Sequence, residues 1–389
     1  MLVSNDTAGD WTVEDPQSKV SKTLLKMKAP LARLLTKTLK TGNPILHSPA
    51  FFPSRWSDRL NISDADVIHL HWINDEMMSI ADIGNIKKPV VWTLHDMWAF
   101  CGAEHYTEDH RWRDGYTASN RPSHESGFDL NRWTWARKFK HWKRPMQIVT
   151  PSRWLADCAK QSALMRDWPI TVIPNTIDIS VWRPMDKALA RQLLHLPPDV
   201  PLLLFGAIGG TQDPRKGFDL LQAALNHLRG QLPGLELVVF GQLPPKASVD
   251  MGFPIHYTSH LHDDVSLRLL YSSVDAIVVP SRQEVFGQTA SEAHACGTPT
   301  VAFDNSGLVD IVDHRQTGYL AKAFDPVDLA TGLSWVLEDA NRLAALGQTA
   351  RKRAVMLWSC ETVAPQYATV YQECRVRSNV PAFHINLSK

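Results

Sequence analysis

The chain has little cysteine and no paired cysteine motif. Its five cysteines, Cys101, Cys158, Cys296, Cys360 and Cys374, lie far apart in 389 residues with no CxxC among them. That distribution suits free thiols in a reducing compartment better than a disulfide frame, and the cytosol is the expected location. No apolar run approaches the roughly 18 residues of a membrane span, and the opening MLVSNDTAGDW lacks a charged-then-apolar signal pattern. Excess charge is missing too. Lys plus Arg is 41 and Asp plus Glu is 40, so the net charge of +1 gives no global case for a nucleic-acid partner. The Walker spacing GxxxxGK[ST] is absent as well.

What is present is a soluble-type composition, 44% hydrophobic and 21% charged, in a chain longer than one core usually serves. Apolar runs ending in polar or turn residues recur at 66–72, 89–96, 147–152, 170–175, 201–207, 235–241, 275–281 and 298–303, with helical periodicity between most of them. Strands alternating with helices predict βαβ units and parallel sheets, an α/β fold. The segment VWRPMDKALARQLLHLPPDVP carries four prolines between two strand signals and marks a seam. The expected organisation is an N-terminal domain over 1–185, a second over 186–360, and a C-terminal helix and tail, 361–389, able to return to the first.

Two basic stretches break the neutral average. Residues 19–40 hold Lys19, Lys22, Lys26, Lys28, Arg33, Lys37 and Lys40 without an acid, and Leu24, Met27, Leu31, Leu34 and Leu35 line one helical face. This is either a basic amphipathic helix suited to an anionic membrane surface or an ordinary helix packed on the sheet. In RWTWARKFKHWKR, 132–144, the expectation is buried tryptophans with solvated cations.

The chemistry concentrates in two places. PSRQEVFGQTASEAHACGTPTVAF, 280–303, reads as strand end, loop, helix and strand, with Glu284 in the loop and Glu292 on the helix. Open α/β sheets bind ligands at this position, beyond the carboxyl ends of strands. GAIGGTQDPRKGFDLL, 206–221, places Gly209 and Gly210 after a strand and Arg215 and Lys216 just before a helix start. Glycine-loosened backbone, two cations and a helix N-terminus suit a diphosphate. His69 and His71 of HLHW share one face of a strand. Without a third ligand they read as structural rather than as zinc ligands.

Taken with DVIHLHWIN, PVVWTLHDMWAF, TPSRWLADCA and IPNTID, these motifs resemble the retaining nucleotide-sugar glycosyltransferases of glycosyltransferase family 4 over nearly the whole chain. The branch resembled is the bacterial one of colanic-acid and exopolysaccharide clusters. The resemblance implies a GT-B fold of two facing Rossmann-like domains, the acceptor held mainly by the first and the donor by the second. It implies Glu284 against the donor sugar's hydroxyls and Glu292 on the ribose. The amides of Phe286, Gly287, Gln288 and Thr289 would hold sugar or phosphate oxygens, and Arg215 and Lys216 would neutralise the departing diphosphate, so no metal or other cofactor is expected. His95, in LHD, matches a histidine near the donor sugar; Asp96 carries less. The same branch often has several cysteines after HDMWAF, where this chain has only Cys101.

The expected activity is sugar transfer from a nucleotide diphosphate sugar to a glycan or polyprenyl-linked acceptor, in the cytoplasm or peripherally on the inner face of the cell membrane. Three alternatives stay open: a glycoside hydrolase using the two glutamates, a nucleotide-sugar epimerase of the same layout, and a non-catalytic nucleotide-sugar-binding partner. Chains of this resemblance usually open with a strand, a Gly-Gly loop and a helix. Here LVSND reads as the strand after that unit, so either the true start lies upstream or the first domain lacks its opening strand, and this form is expected to keep donor binding but to transfer poorly.

Overall fold

The computed structural model describes all residues except 2, 4–11, 15–18, 207–212, 245–249, 260, 262 and 380–389; the side chains of 19–22, 24–26, 378 and 379 are also left undescribed. The strand read at LVSND therefore falls largely outside the described residues. The chain divides into two compact units. The first comprises Met1–Thr150, Leu155–Val172 and Ala368–Lys389, and the second Pro151–Trp154 and Ile173–Tyr367. Residues 173–185 pack with the second unit because Ile177 and Trp182 are buried in its core.

In the first unit, β1 (Ile68–Leu70), β2 (Val90–Thr93), β3 (Gln147–Thr150) and β4 (Ile170–Val172) form a parallel sheet in chain order. The helix Cys360–Asn379 begins in the second unit and ends in the first. There, Cys374 contacts the Val90 carbonyl and Arg377 donates to Gln147 Oε1 at 2.9 Å.

The second unit holds β5 (Leu202–Gly206), β6 (Glu236–Phe240), β7 (Ile255–Tyr257), β8 (Ala276–Val279), β9 (Thr300–Phe303) and β10 (Gly318–Ala321). They are all parallel, in the order β7-β6-β5-β8-β9-β10. That is the doubly wound order, whose direction reverses between β5 and β8. Leu202 and Leu204 of β5 enter one core, Leu203 and Phe205 the other. A continuous apolar run is what a strand buried on both faces requires. Each such side chain contributes roughly 2 kcal/mol by leaving water.

Eight strands lie where the apolar runs predict them. The two edge strands of the second sheet, β7 and β10, have no matching apolar run among those read from the sequence, and β7 is only half-buried. Two helices follow β10, Pro326–Leu337 and Ala340–Trp358, separate because the Asp339 side chain accepts from the amides of Asn341 and Arg342 and starts a new helix. Lys138 corrects the expectation of solvated cations in 132–144. Its ammonium is fully buried, donates to the carbonyls of Trp98, Cys101 (3.1 Å) and Gly102 (2.7 Å), and sits 3.7 Å over the Trp98 ring. Burial holds its pKa down to about 7. Three carbonyls that converge on the ammonium explain why the charge does not reach water.

Candidate functional site

In the second unit, the loops after β5 and β8 emerge on either side of the reversal point. Gly209 and Gly210 fall outside the described residues. From Asp213 the chain makes a single 3₁₀ turn, Pro214–Lys216, and Asp213 accepts both the Arg215 amide at 3.0 Å and the Arg215 guanidinium at 2.7 Å. Gly217 follows with φ 65°, and a Cβ there would lie 1.9 Å from the Pro280 carbonyl oxygen. Only glycine lets the two loops approach this closely. Lys216 spans the gap, its Nζ donating to Glu284 Oε1 at 2.6 Å.

Glu284 is held on every side. Ser281 Oγ donates to the same carboxylate oxygen at 2.9 Å, the Glu284 amide donates to Ser306 Oγ, and the Gly307 amide donates to the Glu284 carbonyl. Gly287, φ 97°, turns the chain into the helix Gln288–Ala295. The first amides of that helix have no acceptor within it and present partial positive charge. Phe286 is buried against Trp358, so its side chain belongs to the core and does not face a ligand. Gln288 is exposed and accepts from Asn175 of IPNTID at 3.3 Å. Glu292, one turn from the helix end, accepts from the buried Tyr271 hydroxyl at 3.0 Å. Burial raises its pKa to about 7, against the lowering effect of that bond.

In the first unit, the carboxyl ends of β1 and β2 carry a histidine stack. His69 lies between Tyr371 (Nδ1 to OH, 2.8 Å) and Thr93 (Nε2 to Oγ1, 2.8 Å), and its ring centroid is 4.2 Å from that of His71. His71 Nδ1 in turn faces His95 Nε2 at 3.0 Å. Burial is the leading cause that lowers all three, His69 to about 3 and His71 to about 4, so the stack is neutral at pH 7. Asp96 is an internal hub. It accepts from the Trp98 amide, the half-exposed Trp72 indole and His105, which also reaches Ser48.

The structure thus brings Lys216 to Glu284 and sets Arg215, Gly287, Gln288, Thr289 and Glu292 on the two loops and helix of one switch point, while His95 lies in the other unit. Sequence reasoning did not find Tyr271, Ser281, Ser306 or the contact of His71 with His95. Same-face alternation of His69 and His71 was the available signal, but a partner on the next strand leaves no local trace.

Comparison with known proteins agrees with this geometry. The model of group 1 glycosyl transferases matches residues 207–353, and that of glycosyltransferase family 4 matches 28–181. The D-inositol 3-phosphate glycosyltransferase of Thermobispora bispora is 33% identical over 230 residues, 54% of this chain and 53% of that protein. A second from Catenulispora acidiphila is 33% identical over 213 residues, 50% and 48% of the two chains. The chain spans about half the length of these curated relatives. Among solved structures, sucrose-phosphate synthase from Thermosynechococcus elongatus has a TM-score of 0.62 at 20% identity, covering 95% of this chain and 82% of that one. Anabaena Alr3699/HepE in complex with UDP has a TM-score of 0.60 at 17% identity, covering 93% and 91%. One family model lies on each half of the chain and the GT-B fold is shared along its length, so the chain is similar to group 1 glycosyl transferases over 207–353 and to glycosyltransferase family 4 over 28–181.

Proposed function

We propose that the protein transfers a sugar, with retention, from a nucleotide diphosphate sugar to a glycan or lipid-linked acceptor in cell-surface polysaccharide synthesis. The observation that carries this reading is the Lys216–Glu284 contact across the reversal point of the second sheet. It puts a cation suited to a diphosphate beside a carboxylate suited to sugar hydroxyls. Glu292 then takes the ribose, and the first amides of the helix Gln288–Ala295 take phosphate or sugar oxygens. Sugar–phosphate cleavage builds positive character at the anomeric carbon and negative charge on the diphosphate. Arg215 and Lys216 favour that separation, which makes the reaction metal-independent. A donor phosphate oxygen takes the acceptor hydroxyl's proton, and His95 hydrogen-bonds a sugar hydroxyl. The basic helix Lys19–Thr36 attaches the enzyme peripherally to an anionic membrane.

A thermal-shift screen of the common nucleotide sugars identifies the donor. A ligand at a hundredfold excess over its Kd adds about 2.7 kcal/mol of stability. Product analysis in the presence of a chelator then tests retention and metal independence. Donor consumed without acceptor and recovered as a stereoisomer would mean an epimerase, and donor bound without turnover on any acceptor a non-catalytic partner.

A further inference from the structure

The contact between His71 and His95 joins two nitrogens, and a hydrogen bond between them needs one proton, not two. Both rings are neutral at pH 7: the protein packed around them removes enough water to lower each pKa, although each residue keeps more than a third of its surface open to solvent. One of the facing nitrogens therefore carries the hydrogen and the other is a lone pair. The state of one ring fixes the state of the other. If His95 Nε2 donates, His95 Nδ1 is an acceptor and His71 Nε2 a donor. If His71 Nδ1 donates, the roles exchange. In either state the pair offers one donor and one acceptor at its second nitrogens, neither of which has a partner among the described residues, and both residues are exposed.

The ring of His71 is itself oriented from behind. His69 packs against it, tilted by 39° with ring centroids 4.2 Å apart, and both His69 nitrogens are engaged, by Thr93 on β2 and by Tyr371 on the helix Cys360–Asn379. A ring fixed in this way has little freedom to leave its partner.

We propose that His71 is a positioning residue that sets the tautomer of His95, so that the two imidazoles act as one donor–acceptor unit toward a pair of adjacent sugar hydroxyls. Each hydroxyl both donates and accepts, so a unit with one donor and one acceptor satisfies a vicinal pair without leaving either ring unpaired. The relevance to transfer rests on the function proposed above. The tautomer coupling does not, and the test separates the two.

In protein labelled with ¹⁵N at histidine, the nitrogen shifts of His95 report its tautomer directly at neutral pH in the absence of any substrate. The wild type is expected to show one dominant tautomer for each ring, with the facing nitrogens in opposite states. His71→Phe keeps the stack on His69 but removes the partner nitrogen, and His95 should become a mixture. His71→Asn returns a polar atom near the position of Nδ1 and should restore a single state. Unchanged His95 shifts in His71→Phe would overturn the proposal, as would mixed tautomers in the wild type. With a donor from the thermal-shift screen, His71→Phe should lower kcat about tenfold or more and leave donor Kd within about twofold, and His71→Asn should recover only part of kcat, because it replaces Nδ1 but not the second nitrogen that faces the hydroxyls. A wild type with coupled tautomers and no transfer would sink the functional reading and leave the pairing standing.

Discussion

Lys216 Nζ donates to Glu284 Oε1 at 2.6 Å, linking residues 68 positions apart in the chain. Both side chains are mostly shielded from water, Lys216 at 19% and Glu284 at 15% exposure. In this state the two charges neutralise one another, and the proposed roles, Lys216 toward a diphosphate and Glu284 toward a sugar, make the contact one that a ligand must open. A free nucleoside diphosphate has to compete for Lys216, whereas an intact donor supplies hydroxyls to Glu284 as well. Glu284→Gln is therefore expected to leave binding of UDP, GDP or ADP equal or several-fold tighter and to weaken the matching nucleotide sugar. Lys216→Ala weakens both, by roughly 1–3 kcal/mol for a lost charged contact. Titration calorimetry with both ligands decides it. Equal losses for the two ligands in Glu284→Gln would remove Glu284 from the sugar.

Glu292 gives a pH signature. Its folded pKa, raised to about 7 by burial, lies above its ordinary value of 4.5, so the native state binds more protons than the unfolded chain between those values. Stability is then highest below about 4.5 with respect to this group and falls as pH rises through 7. Glu292→Gln keeps an acceptor for Tyr271 and removes the buried charge. It should be more stable than the wild type by about 1–3 kcal/mol at pH 8, with the gap closing toward pH 5. Urea denaturation at the two pH values measures this. A constant gap would place the carboxylate in water.

Lys138→Met should destabilise the protein by about 3 kcal/mol, because three buried carbonyls lose their donor. The loss should appear in the denaturation midpoint. An unchanged midpoint would mean that these carbonyls find other partners.

His95→Ala is expected to lower turnover far more than donor affinity, as for a group that matters most in the transition state. Steady-state kinetics beside calorimetry separates the two. Unchanged turnover would leave His95 a purely structural member of the stack.

The helix Lys19–Thr36 keeps Met27 at 56%, Leu31 at 47% and Leu34 at 60% exposure, while Ala32 is buried and Leu35 packs toward Leu39 and Leu130. Among the described residues no helix is long and apolar enough to cross a membrane. Sedimentation with anionic liposomes should show binding that weakens between 50 and 300 mM salt, on the order expected for several cations at a charged surface. No binding at low salt would rule out attachment through this helix.

The alternation of apolar runs with helical periodicity determined the α/β class, and the spacing of Glu284 and Glu292 around Gly287 determined that one loop and one helix carry both carboxylates. These are local properties, set by backbone geometry within a dozen residues. Tertiary structure alone decided the rest. Strand order placed β8 beside β5 and so brought Glu284 to Lys216. The packing of the helix Asp264–Ser273 put Tyr271 on Glu292, and the adjacency of β1 and β2 put His71 on His95. The strands β7 and β10 of the second sheet and the burial of Lys138 escaped the sequence for a related reason. What a short strand or a lone cation meets is fixed by the surface that folds against it, and no residue type or spacing encodes that surface locally.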